Sequence, residues 1–232
     1  MVNAIHTYKE THGDTIDFQL RRVPFFLEPS YLQKPDTFTE PHNTRMVRKF
    51  GSMEAFERVK KSHGLIPRGK EVGLDEKVGF HQPQLDKRIQ SSTMKSHRLI
   101  LYVAQTFGLE SCEALYDEIN RRHFTEAAVL NDSNMLMAAL SVALNISKEQ
   151  QVAALSFLND GQKGYNTVLQ MYERVQNLGV YSIPTLVVDG RYMLSGAQKS
   201  NQIYDLLVKA IQMGITSKRL FGDFSVLEKE KE

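Results

Sequence analysis

Gly179-Val180-Tyr181-Ser182-Ile183-Pro184-Thr185-Leu186-Val187-Val188-Asp189-Gly190-Arg191-Tyr192-Met193-Leu194-Ser195-Gly196-Ala197-Gln198 is the stretch on which the reading of this chain turns. Leu186, Val187 and Val188 form an apolar, largely β-branched run suited to a strand. Asp189-Gly190 is the pair that a two-residue type I′ turn selects, because both central residues need φ > 0. Tyr192-Met193-Leu194 then returns as the partner strand. Pro184 stands just before the first strand, where a missing N–H does least harm. Past Gly196, Ile203, Leu206, Leu207, Ala210 and Ile211 recur at helical spacing. On residue patterning alone, this is a hairpin followed by a helix in some α/β protein.

Working outward, Ile16, Phe18 and Leu20 alternate with Asp17, Gln19 and Arg21, the pattern of a strand with one buried face. Val23-Pro24-Phe25-Phe26-Leu27-Glu28-Pro29 leaves it as an extended exit. Before it, Val2, Ile5 and Tyr8 fall three apart, as in the last turns of a helix that Gly13-Asp14 ends. Ser30 to Pro41 reads as a loop. Met46, Val47, Phe50, Met53, Phe56 and Val59 mark a helical face interrupted at Gly51-Ser52, and its Lys and Arg residues read as a solvated surface. Leu65 to Pro83 has no clear period. A helical block follows. Its expected starts are Thr93, Asp132 or Ser133, Ser147 and Asp160, with Gly108 and Gly179 as stops. The tail from Ser217 to Glu232 is expected to fray.

Together, Ile183-Pro184-Thr185, the Val-Val-Asp-Gly hairpin and Ser195-Gly196-Ala197-Gln198 resemble the C-terminal half of the DsbA-like thioredoxin-fold family, and its FrnE-type branch in particular. The exit after Ile16–Val23 resembles that family's "P-F-x-L-x-P" segment, and His97-Arg98-Leu99 matches an "H-R-L" in the branch's helical insertion. The resemblance implies an α/β fold with a thioredoxin-like core and a large all-helical insertion. The core is assigned to residues 1–41 and 160–214, the insertion to 42–159 and the tail to 215–232. It implies a cis proline at Pro184. It also implies substrate-binding positions at Ile183, Pro184, Gly196 and Gln198, with His97 lining the cleft. The implied activity is thiol–disulfide oxidoreduction on a thiol-containing peptide or small molecule.

The family's first strand and CxxC motif have no counterpart in this sequence. The single cysteine, Cys112, excludes an internal disulfide and any CxxC, and its apolar helical surroundings suit a packed side chain rather than a catalytic thiol. The chain begins inside the helix that carries CxxC in the family. The expectation is therefore that Met1 is an internal methionine of a longer protein, and that this chain is inactive in two-cysteine exchange. A tail strand around Leu220 to Leu227, or closure over a smaller sheet, would be other ways to manage without the first strand.

Two further readings remain open. Kappa-class glutathione transferases and related isomerases of the family carry G-S-D where this chain has Gly196-Ala197-Gln198, so glutathione is the one small-molecule cofactor to weigh. The other reading is a non-catalytic peptide-binding module. Totals bound the rest. The 232 residues are 41% apolar and 24% charged with a net charge of +2, too small to point to nucleic acid. No apolar run of membrane-spanning length or signal-peptide layout occurs, and the expected compartment is the cytoplasm. The seven histidines show no metal-ligand spacing, so no metal is expected. No phosphate-binding loop occurs either.

Overall fold

The computed structural model describes residues 1–63, 66, 69–70 and 74–215. The expectations for the tail lie outside these residues. The chain divides into two compact units, one formed by Met1–Leu27 with the chain from Leu169 onward, the other by Glu28–Val168.

In the first unit, α1 (Val2–His12) and α10 (Ser200–Gln212) pack on one another, and α10 packs on the hairpin of β3 (Thr185–Val188) and β4 (Tyr192–Ser195). Ala4, Ile203 and Leu207 are buried together, with Phe18, Leu186, Val188 and Tyr204 against them. The hairpin turn has φ of 51° at Asp189 and 67° at Gly190, and the Arg191 N–H donates to Val188 O at 3.1 Å. The first ladder pair is Val188–Tyr192, so the loop has one residue more than the two-residue connection expected, and Arg191 is the extra one.

Residues 16–23 form no strand. Ile16, Phe18 and Leu20 are half-buried and Asp17 and Gln19 exposed, so the alternating faces are present without a ladder. The sequence period reports which side chains meet the core. A strand also needs a partner strand for its backbone, and among the described residues no strand pairs with this segment.

The second unit is mostly helical. Its bundle comprises α5 (Met94–Phe107), α6 (Leu109–Thr125), α7 (Ser133–Ala143) and α8 (Lys148–Asn159). Leu99, Val103, Leu115, Leu136, Leu140 and Leu158 are its largest fully buried apolar side chains, with Cys112 packed among them. Asp132 caps α7 by accepting from the Asn134 N–H, at 2.9 Å. Ser147 and Gln150 form a reciprocal capping box at the start of α8. Thr93 precedes α5 but its side chain makes no capping bond. Asp160 holds the turn after α8 through the Gln162 and Lys163 N–H groups rather than starting a helix, and α9 (Tyr165–Asn177) begins five residues later.

Ahead of the bundle, α2 (His42–Phe50) ends where expected, at Gly51, whose φ of 84° closes it on Val47 O, and α3 (Met53–His63) follows. The segment read as a loop contains β1 (Thr39–Pro41), which pairs antiparallel with β2 (Ile89–Ser91). Three residues are too few for a strand period to show in sequence. The short α4 (Gln82–Asp86) lies just before β2. The sequence set the joins between core and insertion near residues 41 and 160. The units join at 27/28 and 168/169, since β1 is tied to β2 and the Asp160–Lys163 turn is tied to α5.

Candidate functional site

The hairpin unit gathers four of the five residues singled out in the sequence. The Ile183–Pro184 peptide bond is cis. Ile183 is 48% exposed, and Pro184 is exposed beside it. The Gly196 N–H donates to Pro184 O at 2.8 Å. That bond fixes the phase of the ladder. In an antiparallel pair, opposite residues alternate between bonded and non-bonded pairs. With Pro184 opposite Gly196, the bonded pairs continue as Leu186–Leu194 and Val188–Tyr192. Thr185 and Val187 therefore turn their N–H and C=O groups away from β4.

Among the described residues β3 has a single partner strand, and these groups are not used in its ladder. Ile183 extends the same phase upstream, and no hydrogen bond to its backbone is present among the described residues. The Thr185 hydroxyl donates to Ser182 O at 2.8 Å and fixes the entry to the strand. A row of alternating donors and acceptors outside a ladder can accept an added strand, with alternate side chains of the visitor meeting the two faces.

Gly196 and Gln198 are used differently. The Gly196 N–H is spent in the ladder, and the Gln198 side-chain amide donates to Ser195 O at 2.8 Å and Gly196 O at 3.3 Å. They brace the turn. The helix begins at Ser200, after Lys199, whose N–H is taken by the Gln202 side chain at 2.9 Å. The turn at 195–198 is therefore not itself a helix N-terminus.

His97 lies in the other unit, half-buried on α5. Its neighbour Arg98 holds the more demanding position. Arg98 is 1% exposed, and its guanidinium fans onto carbonyl oxygens of Lys163 (2.6 Å), Phe157 (2.9 Å), Leu158 (3.4 Å) and Asp160. The motif's arginine is thus the C-terminal cap of α8. A signal existed in the sequence, because Arg98 shares a helical stripe with Met94 and Leu101, both buried.

A second buried polar group sits between α2, α4, β2 and α6. Arg88, His42 and His123 are all more than nine-tenths buried. Arg88 donates to Leu85 O at 2.9 Å and approaches His42 Nε2 at 3.5 Å, so that nitrogen is the acceptor of a neutral ring. His123 Nδ1 lies 2.8 Å from Ala128 O and must carry its proton. Burial, then the Arg88 and Arg45 charges, pushes the His42 imidazole down to about 4. Burial likewise pushes His123 down to about 4. The charges of Arg88, Arg45 and Asp86 act on the His42 ring, and that of Arg88 on His123. Cys112 is 2% exposed, and no cluster of potential metal ligands occurs among the described residues.

The hairpin with its proline turn, the packed terminal helix and the long helical segment between the two parts of the hairpin unit define the class: a thioredoxin-like α/β protein with a large helical insertion. The chain is similar to the probable DsbA oxidoreductase SCO1869 from Streptomyces coelicolor, with a TM-score of 0.69 and 24% sequence identity, over 91% of this chain and 81% of that one. No protein-family model matches the sequence, and no curated protein matches it. No helix among the described residues is long and apolar enough to cross a membrane.

Proposed function

We propose that this chain is a DsbA-like protein of the FrnE type that binds extended, thiol-containing peptides along β3 and does not itself carry out two-cysteine disulfide exchange. The proposal rests on the backbone groups of Thr185 and Val187, which the β3–β4 register leaves outside that ladder, and on the exposed Ile183 beside them. Main-chain pairing along that edge supplies affinity without requiring a particular sequence, which suits a protein acting on unfolded or extended chains. The fold shared with a probable DsbA oxidoreductase supports the thiol–disulfide setting. The redox-silent part rests on composition: one cysteine, buried in the helical core, is neither a pair nor an accessible nucleophile. The proposal places the protein in the cytoplasm.

The test uses an eight-residue Val/Thr-rich peptide with one central cysteine, and the same peptide with alternate backbone nitrogens methylated. Methylation removes hydrogen-bond donors from one edge of the visiting strand and leaves its side chains in place. Isothermal titration should give binding by the first peptide and at least a tenfold loss with the second. Equal binding would mean that side chains, not the β3 edge, recognise the peptide.

A further inference from the structure

One face of the short β1–β2 ladder carries only polar side chains. Glu40 pairs with Gln90 across it, and the His42 N–H extends it by donating to Arg88 O at 2.9 Å. Alternate residues share a face, so Glu40, His42, Arg88 and Gln90 stand together. Glu40 is held by Arg48 and the Tyr31 hydroxyl. The others are not fully satisfied. Among the described residues, His42 Nδ1 and Gln90 Nε2 are buried with no hydrogen-bond partner. Arg88 forms no ion pair among them either, since Asp86 is held by Lys60, and Glu28 by Arg45 and Arg48. Its guanidinium lies over the Phe124 ring of α6 instead, 5.1 Å from the centroid, and its charge reaches His123.

We propose that the seam of His42, Arg88 and His123 is an acid-operated latch. It is closed while both rings are neutral. Protonation sets three positive charges together, and α2, α3 and α4 then come away from α6 while the bundle stays folded. The groups acting on His42 are Arg88, Arg45 on its own helix, Asp86 on α4 and His123 on α6. From α3 the Phe56 ring meets it edge-on, and Lys60 lies beyond that ring, bound to Asp86. On His123 the acting charge is Arg88. No unpaired carboxylate is among these groups, so nothing in the closed seam balances the added protons.

The layout favours a local opening. α2 packs on α3 and on the ladder, and α4 packs on α6, where the seam lies. The orphaned donor of His42 and the unpaired Arg88 weaken the closed form, because burial without a partner is unfavourable. Asn131 holds the loop ahead of β1 to the bundle, through Asp36 O at 2.6 Å and Phe38 O at 3.2 Å, and gives the layer its pivot. The buried apolar cluster of the bundle contains no group that titrates in the acid range, so acid has no purchase there.

The latch belongs to a different unit from β3, so it stands apart from the peptide proposal. A ring at about 4 when closed and about 6.5 when open shifts the balance by roughly twentyfold between pH 7 and pH 5. Amide exchange on the whole chain reads that shift, as protection relative to an unstructured peptide at each pH. From pH 7 to pH 5, protection of the amides at positions 42 and 46 should fall by roughly tenfold or more, while Leu115 and Leu140 change less than about twofold. His42→Asn combined with His123→Asn should abolish the fall, and either change alone should reduce it. A fall shared equally by the bundle, no fall at positions 42 and 46, or a fall that persists undiminished in the Asn variants would overturn the proposal.

Discussion

Arg98→Met should be among the most damaging single changes in this protein. Methionine keeps much of the apolar stem of Arg98 and removes the guanidinium. The Phe157, Leu158, Asp160 and Lys163 carbonyls then lose their donor. Asp160 and Lys163 are exposed residues whose carbonyls water can reach, so their loss is partly refunded. Phe157 and Leu158 are buried, and each orphaned acceptor costs ~1–3 kcal/mol. Losing a cation at the C-terminal end of α8 adds ~0.5–1 kcal/mol. Burial holds the Arg98 guanidinium below its usual range, and releasing that desolvation returns part of the loss. The net expectation is a loss of about 2–4 kcal/mol, a large share of the ~5–15 kcal/mol that holds a domain together.

The chain has no tryptophan, so urea unfolding is followed by far-UV circular dichroism. Arg98→Met should lower the midpoint with little change in slope. Arg98→Lys keeps the charge but has one point of donation, and should fall between wild type and Arg98→Met. Native-state hydrogen exchange should show the loosening at the end of α8 and the turn through Tyr165. A loss below about 1 kcal/mol for Arg98→Met would refute the reasoning, because it would mean those carbonyls are satisfied without the guanidinium.

Four other outcomes follow from the structure. The neutral, buried His42 and His123 have folded-state values of about 4 against about 6.5 when unfolded, so the unfolded chain binds more protons between those pH values. Stability is therefore full above about pH 6.5 and is lost as pH falls toward 4, by about 2–3 kcal/mol per histidine; urea midpoints across pH should show this limb, shallower in His123→Asn, which keeps a donor for Ala128 O. Ser147→Ala removes the reciprocal cap of α8 and should cost about 1 kcal/mol by chemical unfolding. Gly190→Val forces a β-branched residue to a φ of 67° and should destabilise the hairpin by about 1–2 kcal/mol, read as faster exchange at Leu186 and Leu194. Insulin reduction by this chain should not exceed the blank, and Cys112→Ser should leave peptide binding unchanged; measurable turnover would contradict the redox-silent reading.

What the sequence made legible and what it hid divide along a physical line. The hairpin was readable because Asp189-Gly190 encodes its conformation locally, and Gly51, Asp132 and Ser147 end or start helices by interactions within a few residues. The strand expected at Ile16–Val23 failed because a ladder depends on a neighbour, and the alternation of Ile16, Phe18 and Leu20 carries no information about one. β1 and β2 were hidden for the complementary reason, being three-residue strands held by partners about fifty positions away. Ile183 and Pro184 lie exposed just before β3, the place the residue pattern gives them. The Gly196 N–H and the Gln198 side-chain amide are engaged by carbonyls two to twelve residues away and brace the turn. In His97-Arg98-Leu99 the sequence directed attention to the titratable residue, while burial gave the demanding task to its neighbour.

The central claim is that β3 presents Thr185 and Val187 as an open pairing edge, and amide hydrogen exchange read residue by residue tests it most directly. Leu186 and Val188 already donate into β4, whereas Thr185 and Val187 face outward. Adding the cysteine-containing peptide should slow exchange at Thr185 and Val187 and leave Leu186 and Val188 nearly unchanged. Uniform slowing along the hairpin, or none at Thr185 and Val187 when the peptide is bound, would contradict the account.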